Sequence, residues 1–322
     1  MLRYGQTPID VSKLSEKAIA ITQQLITLSQ DYQNRCLVLL DPFLSPIDEF
    51  YMQYYQNRLR LHQVRIMHNA ISATKCPWLI ELDLSDKYEH TMLSYMIDQG
   101  LKQSRPESIK SRMIGQQYCA WIFTHKKAQS IADDLAKLAI QGGQKKILLR
   151  FYDPAVFFQL MNVLESKQQN ILLGHIKIWS MLTREGTLNS HYHQGEVWQI
   201  NSGELRLTKD QYQLLECIGI NNQIINSQLL VNPTKYIDEI ASLQTIMPSL
   251  IRLKKNNINE EQFQLQWAKL ALIRGADFDC EPKIEDKIKQ CTNLRQYYHL
   301  LDELKAIKTE DWQSYLQTPN RV

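Results

Sequence analysis

The feature that most constrains this chain is a change of hydrophobic period partway along its 322 residues. Up to about residue 185, short apolar runs alternate with segments whose apolar residues recur every three or four positions; beyond it the pattern is almost wholly helical. Val11, Leu14, Ala18, Ile21, Leu25 and Leu28 share one stripe of an amphipathic helix. Cys36-Leu-Val-Leu-Leu40 is closed by Asp41-Pro42. A proline there can neither continue a helix nor donate to a ladder, so the run reads as a buried strand. Helical spacing returns over 47–61, strand-like pieces follow at 64–67 and 78–82, and a helix is predicted over 88–102. Tyr118–Thr124 is aromatic and β-branched enough for a strand. The stripe Ala128, Ile131, Ala132, Leu135, Leu138, Ala139 stops at Gly142-Gly143, the expected left-handed exit from a helix. A strand over 147–152, a helix over 155–166 and a strand over 171–181 complete this half.

Strands separated by helices of this length predict an α/β fold, with α+β as the alternative: a mixed or mostly parallel sheet flanked by helices, plus a smaller all-helical C-terminal lobe. Runs such as Leu37–Leu40 and Ile147–Leu149, apolar on both alternations, fit strands covered on both faces. The expected organisation is an α/β domain over 1–185, a connecting segment with strand and helix over 186–233, and the helical lobe over 234–322. Thr208-Lys-Asp-Gln211 and Asn259-Glu-Glu-Gln262 each place a capping side chain three residues before a glutamine, the pattern of a capping box at a helix start. Leu207 and Tyr212, and Ile258 and Phe263, add the apolar staple, and Gly275 is the expected end of the second helix.

Several classes fall away on composition. Lys plus Arg is 37 against 34 Asp plus Glu, a net charge of +3, too small to predict a nucleic-acid or anionic-membrane partner. Residues 1–10 lack the apolar stretch of a signal peptide, and no run approaches the roughly 20 apolar residues of a membrane span, so a cytoplasmic protein is expected. The six cysteines, at 36, 76, 119, 217, 280 and 291, include no CxxC pair and read as reduced thiols, without a disulfide framework or a zinc site.

Three constellations bear on chemistry. His191-Tyr-His193 would put two imidazoles on one face of a strand, with Glu196 as the nearest carboxylate, but the neighbouring Asn189, Ser190, Gln194 and Gly195 favour a solvated loop over a metal site. Asp41, Asp83 and Asp153 each follow an apolar strand, where ligands gather in parallel α/β sheets. They define the alternative function, a metal-dependent phosphoryl-transfer or hydrolytic enzyme. Against it, there is no phosphate-binding glycine loop and no Gly-x-Ser-x-Gly, and Cys119 sits in an apolar strand that disfavours its thiolate. No cofactor, metal or small-molecule substrate is expected.

The block Lys146-Ile-Leu-Leu-Arg-Phe-Tyr-Asp-Pro154, followed by Ile171-Leu-Leu-Gly174-His-Ile176 and Trp179, resembles the signature of the type VI secretion effector-adaptor (effector chaperone) family. Leu39-Leu-Asp-Pro42, Cys76-Pro-Trp-Leu-Ile80, Arg274-Gly-Ala-Asp-Phe278 and Trp312 are similar to further elements of that family, so the resemblance spans roughly 35–315. Ala155 stands where many members carry Arg, Cys76 where Gly is usual, His175 where Pro is frequent, and Asp134-Leu135 where His-Leu is common. The resemblance implies a cytoplasmic adaptor that binds a toxic effector and loads it onto the VgrG spike protein by protein–protein recognition. Its signature residues are Arg150, Tyr152, Asp153, Pro154, Gly174 and Trp179. By residue chemistry, Asp153 suits an N-cap and Pro154 the first turn of a helix. Arg150 can either pair with a carboxylate to lock a strand–helix junction or project as an anchor for a partner.

Overall fold

The structure is a computed structural model describing residues 11–43, 47, 49–105, 116–142, 146–195 and 204–317. The chain divides into two compact units, Met1–Leu207 and Thr208–Val322.

The first unit is built on a six-stranded sheet in the order β2-β3-β1-β4-β7-β8. Its strands are β1 Arg35–Leu40, β2 Leu61–Gln63, β3 Trp78–Asp83, β4 Tyr118–Phe123, β7 Ile178–Leu182 and β8 Leu188–Tyr192. Two short strands, β5 Ile140–Gln141 and β6 Ile147–Leu148, pair separately. The expected mixed or mostly parallel sheet is not what forms, because every pairing among the described residues is antiparallel. Ile147 and Leu148, expected to be covered on both faces, are half-buried in the separate two-stranded pair, whereas Leu37–Leu40 is buried on both faces, as are all six residues of β4 and all five of β7. That burial comes from helices packed on both faces, which an antiparallel sheet accepts as readily as a parallel one.

The register separates the faces. Val38, Trp121, Ser180 and Ser190 lie in one row, so by the two-residue period they share a face, and Leu37, Ile122, Trp179 and His191 share the other. On the first face, α1 (Glu16–Ser29) and α3 (Lys87–Gln103) bury Ala18, Ile21, Leu25, Met92, Leu93 and Met96 against Val38, Leu40, Ile80 and Trp121. Ser15, the N-cap of α1, donates through its amide and hydroxyl to Asp98 Oδ1 of α3 at 3.2 and 2.9 Å, tying the two helices together. The remaining helices of this unit are α2 (Glu49–Gln56), α4 (Ala128–Leu138), α5 (Pro154–Val163) and α6 (Ser166–Leu173). α4 packs on β2 and β3, and α5 sets Phe157 on Trp179.

Other expectations shift locally. The predicted strand at 64–67 falls instead at β2, and that at 147–152 shortens to β6 before a turn. Of 171–181, residues 171–173 finish α6 and only 178–182 are strand. Gly142 does adopt a left-handed φ of 100°, but β5 intervenes after α4. Residues 188–192, within the segment taken as a connection, form an edge strand.

The second unit contains α7 (Lys209–Val231), α8 (Glu239–Lys255), α9 (Glu261–Arg274), α10 (Pro282–Gln290), α11 (Leu294–Ala306) and α12 (Trp312–Gln317). Thr208 and Gln211 form the reciprocal capping box of α7. At α9 the cap is Glu260, one residue later than the expected Asn259, because the Glu260 carboxylate accepts the Phe263 amide. Gly275 ends α9 at φ 104°, a conformation costly for any residue with a Cβ. Ile218, Ile224, Ile225, Ile246, Leu250, Phe263 and Trp267 fill the core. Inside it, Asn221 Nδ2 donates to Glu239 O at 2.9 Å and Ser242 Oγ donates to Asn221 Oδ1 at 2.6 Å, so a buried polar side chain is matched. Among the described residues, no helix is long and apolar enough to cross a membrane.

Candidate functional site

The resemblance block folds into a junction at one end of β1. Leaving β1, the chain buries Asp41 completely; its amide donates to Gln117 O at 2.9 Å and its Oδ1 accepts the Phe43 amide at 2.8 Å. Leaving β6, Leu149 extends the short ladder by donating to Ala139 O at 2.8 Å, and Arg150 follows. A turn closed by the Asp153 amide on Arg150 O, at 3.1 Å, carries the buried Phe151 and Tyr152. Asp153 then caps α5 by accepting the Ala155 amide at 3.0 Å, and Pro154 occupies the first turn, where its missing amide costs nothing.

Arg150 joins the two approaches. Its Nη2 donates to Asp41 Oδ2 at 2.5 Å and lies 3.8 Å from Asp153 Oδ2. The guanidinium sits 4.6 Å from the centre of the Phe43 ring, which is 46% exposed. Burial opposes the Arg150 charge, yet the two carboxylates outweigh it and hold its pKa above the ordinary value. Burial raises the pKa of Asp153, with Arg150 opposing the shift, and raises that of the Tyr152 hydroxyl. This is an ion-pair clamp between the loop after β1 and the start of α5, with one aromatic ring left at the surface beside a cation.

A bulge aims one more group here. Leu39 pairs with Ala120 but Leu40 with Tyr118, so Cys119 is the extra residue of β4. Burial, followed by the negative charges of Asp41 and Asp153, pushes its thiol pKa well up. That removes Cys119 as a nucleophile at neutral pH.

The remaining signature residues lie deeper. Trp179 is fully buried and stacks on Phe157 at 4.6 Å with the rings 3° apart, and Phe151 approaches it at 6.0 Å. Gly174 ends α6 at φ 58°, donating to Asn170 O. The next residue, His175, faces Asp134 Oδ2 through Nδ1 at 3.1 Å, and its carbonyl accepts Thr124 Oγ1 at 2.8 Å. Of the six signature residues, Arg150 and Asp153 alone are partly exposed; Tyr152, Pro154, Gly174 and Trp179 are buried.

The three strand-end aspartates do not converge. Asp83 pairs in register with Arg35 at the start of β1, whereas Asp41 follows its end. Six residues of strand at about 3.4 Å each put them about 20 Å apart. The expectation came from parallel topology, where carboxyl ends share one side; in an antiparallel sheet neighbouring ends alternate. Asp83 instead accepts the Ser85 amide at 3.0 Å and hydroxyl at 2.6 Å.

His191 is not in a solvated loop: it lies on β8, opposite Trp179, with its ring edge-on to Phe157 at 5.2 Å. Burial lowers its pKa, and burial, with the charge of Lys177, lowers that of His193. Glu196 lies outside the described residues. Among the described residues, no group of three or more His, Cys, Asp and Glu side chains could hold a metal ion.

Sequence spacing could not pair Arg150 with Asp41, since 109 residues separate them, and nothing in the local pattern marked Phe43. Comparison of the chain with family models, with curated proteins and with solved structures finds no match.

Proposed function

We propose that this chain is an adaptor of type VI secretion: it binds an effector in the cytoplasm of the producing cell and loads it onto the VgrG spike by protein–protein recognition, with no bond-breaking step of its own. The observation that carries the reading is how the resemblance block is used. Asp41, Arg150 and Asp153 are engaged with one another and with backbone amides, so the polar groups of the block serve architecture. What the clamp presents outward is Phe43 beneath the Arg150 guanidinium. Aromatic and arginine side chains held rigid at a surface are the types most enriched where partners bind, because little side-chain entropy remains to be lost. Holding effector and spike on one chain makes their meeting effectively intramolecular, which raises the occupancy of the loaded spike without a catalytic step.

Co-expression of the tagged chain with the effector and spike proteins encoded beside its gene tests the reading. Recovery of both with the chain, weakened by Phe43→Ala in a folded variant, supports it. A chain that purifies alone contradicts it.

A further inference from the structure

Among the described residues the six-stranded sheet ends on β2 at one side and on β8 at the other, and the two edges differ. β2 has three residues, is preceded by Arg60, and has Gln63 Nε2 donating to Ala73 O at 2.7 Å. A short, locally engaged strand flanked by a charged residue is how edges are kept from pairing with other chains. β8, Leu188-Asn-Ser-His-Tyr192, has five residues in unbroken register with β7 and carries no charged residue, proline or bulge.

The hydrogen-bond parity of β8 can be read from its ends. The Thr183 amide donates to Thr187 O at 2.9 Å, and the His193 amide to Lys177 O at 3.0 Å. Antiparallel pairs alternate, so Met181 with Asn189 and Trp179 with His191 are the other pairs bonded across β7 and β8. The amides and carbonyls of Leu188, Ser190 and Tyr192 therefore point away from β7, and none of these six groups has a hydrogen-bond partner among the described residues.

We propose that this edge pairs with β8 of a second copy of the chain, antiparallel across a two-fold axis at Ser190, joining two six-stranded sheets into one. The argument is self-complementarity. About Ser190 the outward groups are symmetric: Leu188 meets the partner's Tyr192, Ser190 meets its own copy, and Tyr192 meets the partner's Leu188, completing three bonded pairs. An isologous contact requires such a match, and a one-residue slip would lose it. Side chains agree with the backbone. Leu188 and Tyr192 lie on the face that carries Ser190, so each copy covers the Tyr192 ring, now 54% exposed, with an aliphatic neighbour. On the other face the partner's Asn189 stands beside His191, whose Nε2 is buried without a hydrogen-bond partner among the described residues. No like charges face each other anywhere in the pairing. A strand of five residues gives a small contact, so the dimer is reversible and concentration-dependent.

Light scattering on the full-length chain over a dilution series tests this. The expected mass moves from 37.8 kDa toward twice that value as concentration rises. Tyr192→Lys, which places an ammonium against the partner's Leu188, is expected to hold the protein at the single-chain mass with an unchanged circular dichroism spectrum. In case that variant misfolds, Ser190→Cys in a Cys280→Ser, Cys291→Ser background reads the register: mild oxidation is expected to give a cross-linked dimer. A single-chain mass up to the solubility limit overturns the proposal, including one that shifts only when an extended peptide of another protein is added. A dimer indifferent to Tyr192→Lys, or one that does not cross-link through residue 190, overturns it as well.

Discussion

Removing the Arg150 side chain tests the clamp at the centre of the candidate site. In Arg150→Ala, Asp41 stays fully buried with its Oδ1 on the Phe43 amide, but its Oδ2 loses the guanidinium. Stranding one partner of a buried ion pair costs 3–5 kcal/mol; because the Arg150 side chain is 25% exposed, the lower end applies, about 3 kcal/mol. Asp41→Asn is the gentler cut. It keeps an acceptor for the Phe43 amide, and it leaves Arg150 near Asp153 and partly hydrated, so about 1–2 kcal/mol is expected. The double variant no longer strands the Asp41 charge, and Asp153 keeps the Ala155 amide, so it should cost less than the sum of the two singles, with a coupling of about 1–3 kcal/mol. Because the chain has two compact units, a single melting curve would mix their transitions. Native-state hydrogen exchange of the β1 and β4 amides reads the first unit alone. A loss below about 1 kcal/mol in Arg150→Ala, or additive single effects, would refute the clamp.

Three further outcomes follow from buried groups. Phe157→Ala removes the ring stacked on Trp179 and is expected to cost about 3–5 kcal/mol by the same exchange measurement, while Phe157→Leu costs less. Burial pushes the Asp98 carboxyl up, but hydrogen bonds from Lys102 and Ser15 outweigh it and hold the group below its ordinary value. Its stabilisation is therefore complete above the unfolded pKa of about 3.9 and is lost as pH falls through the lower folded value; Asp98→Asn should flatten the acid limb of an unfolding titration, and an unchanged limb would count against the Ser15–Asp98 tie. Of the six thiols, Cys36, Cys76, Cys119 and Cys217 are buried and Cys280 is exposed. Alkylation followed by mass spectrometry should modify Cys280 first in the native protein and the four buried thiols only after unfolding.

Where a signal was local, the sequence was a good guide. The stripe from Ala18 to Leu25, the apolar run of β1, the Thr208 capping box and the glycine after Arg274 each rest on contacts a few residues apart, and each has its expected local form. The N-cap at Asp153 and Pro154 behind it are local too. Strand direction is not. Runs buried on both faces look the same whether a helix returns the chain parallel or antiparallel, so Asp41 and Asp83, taken to share one side of a sheet, stand at opposite ends of β1. The partner of Arg150 is equally hidden, because the carboxylate that fixes it comes from the far side of five intervening strands in sequence. The edge at β8 was masked by its own composition. Asn, Ser and His read as loop, yet β7 supplies the ladder that makes those residues a strand.

The adaptor proposal is tested most directly by weighing what the chain holds. Native mass spectrometry of the purified chain mixed with its neighbouring effector and with the VgrG spike is predicted to show a species containing all three. Spectra showing only the free chains, with the protein folded by circular dichroism, would contradict the adaptor reading.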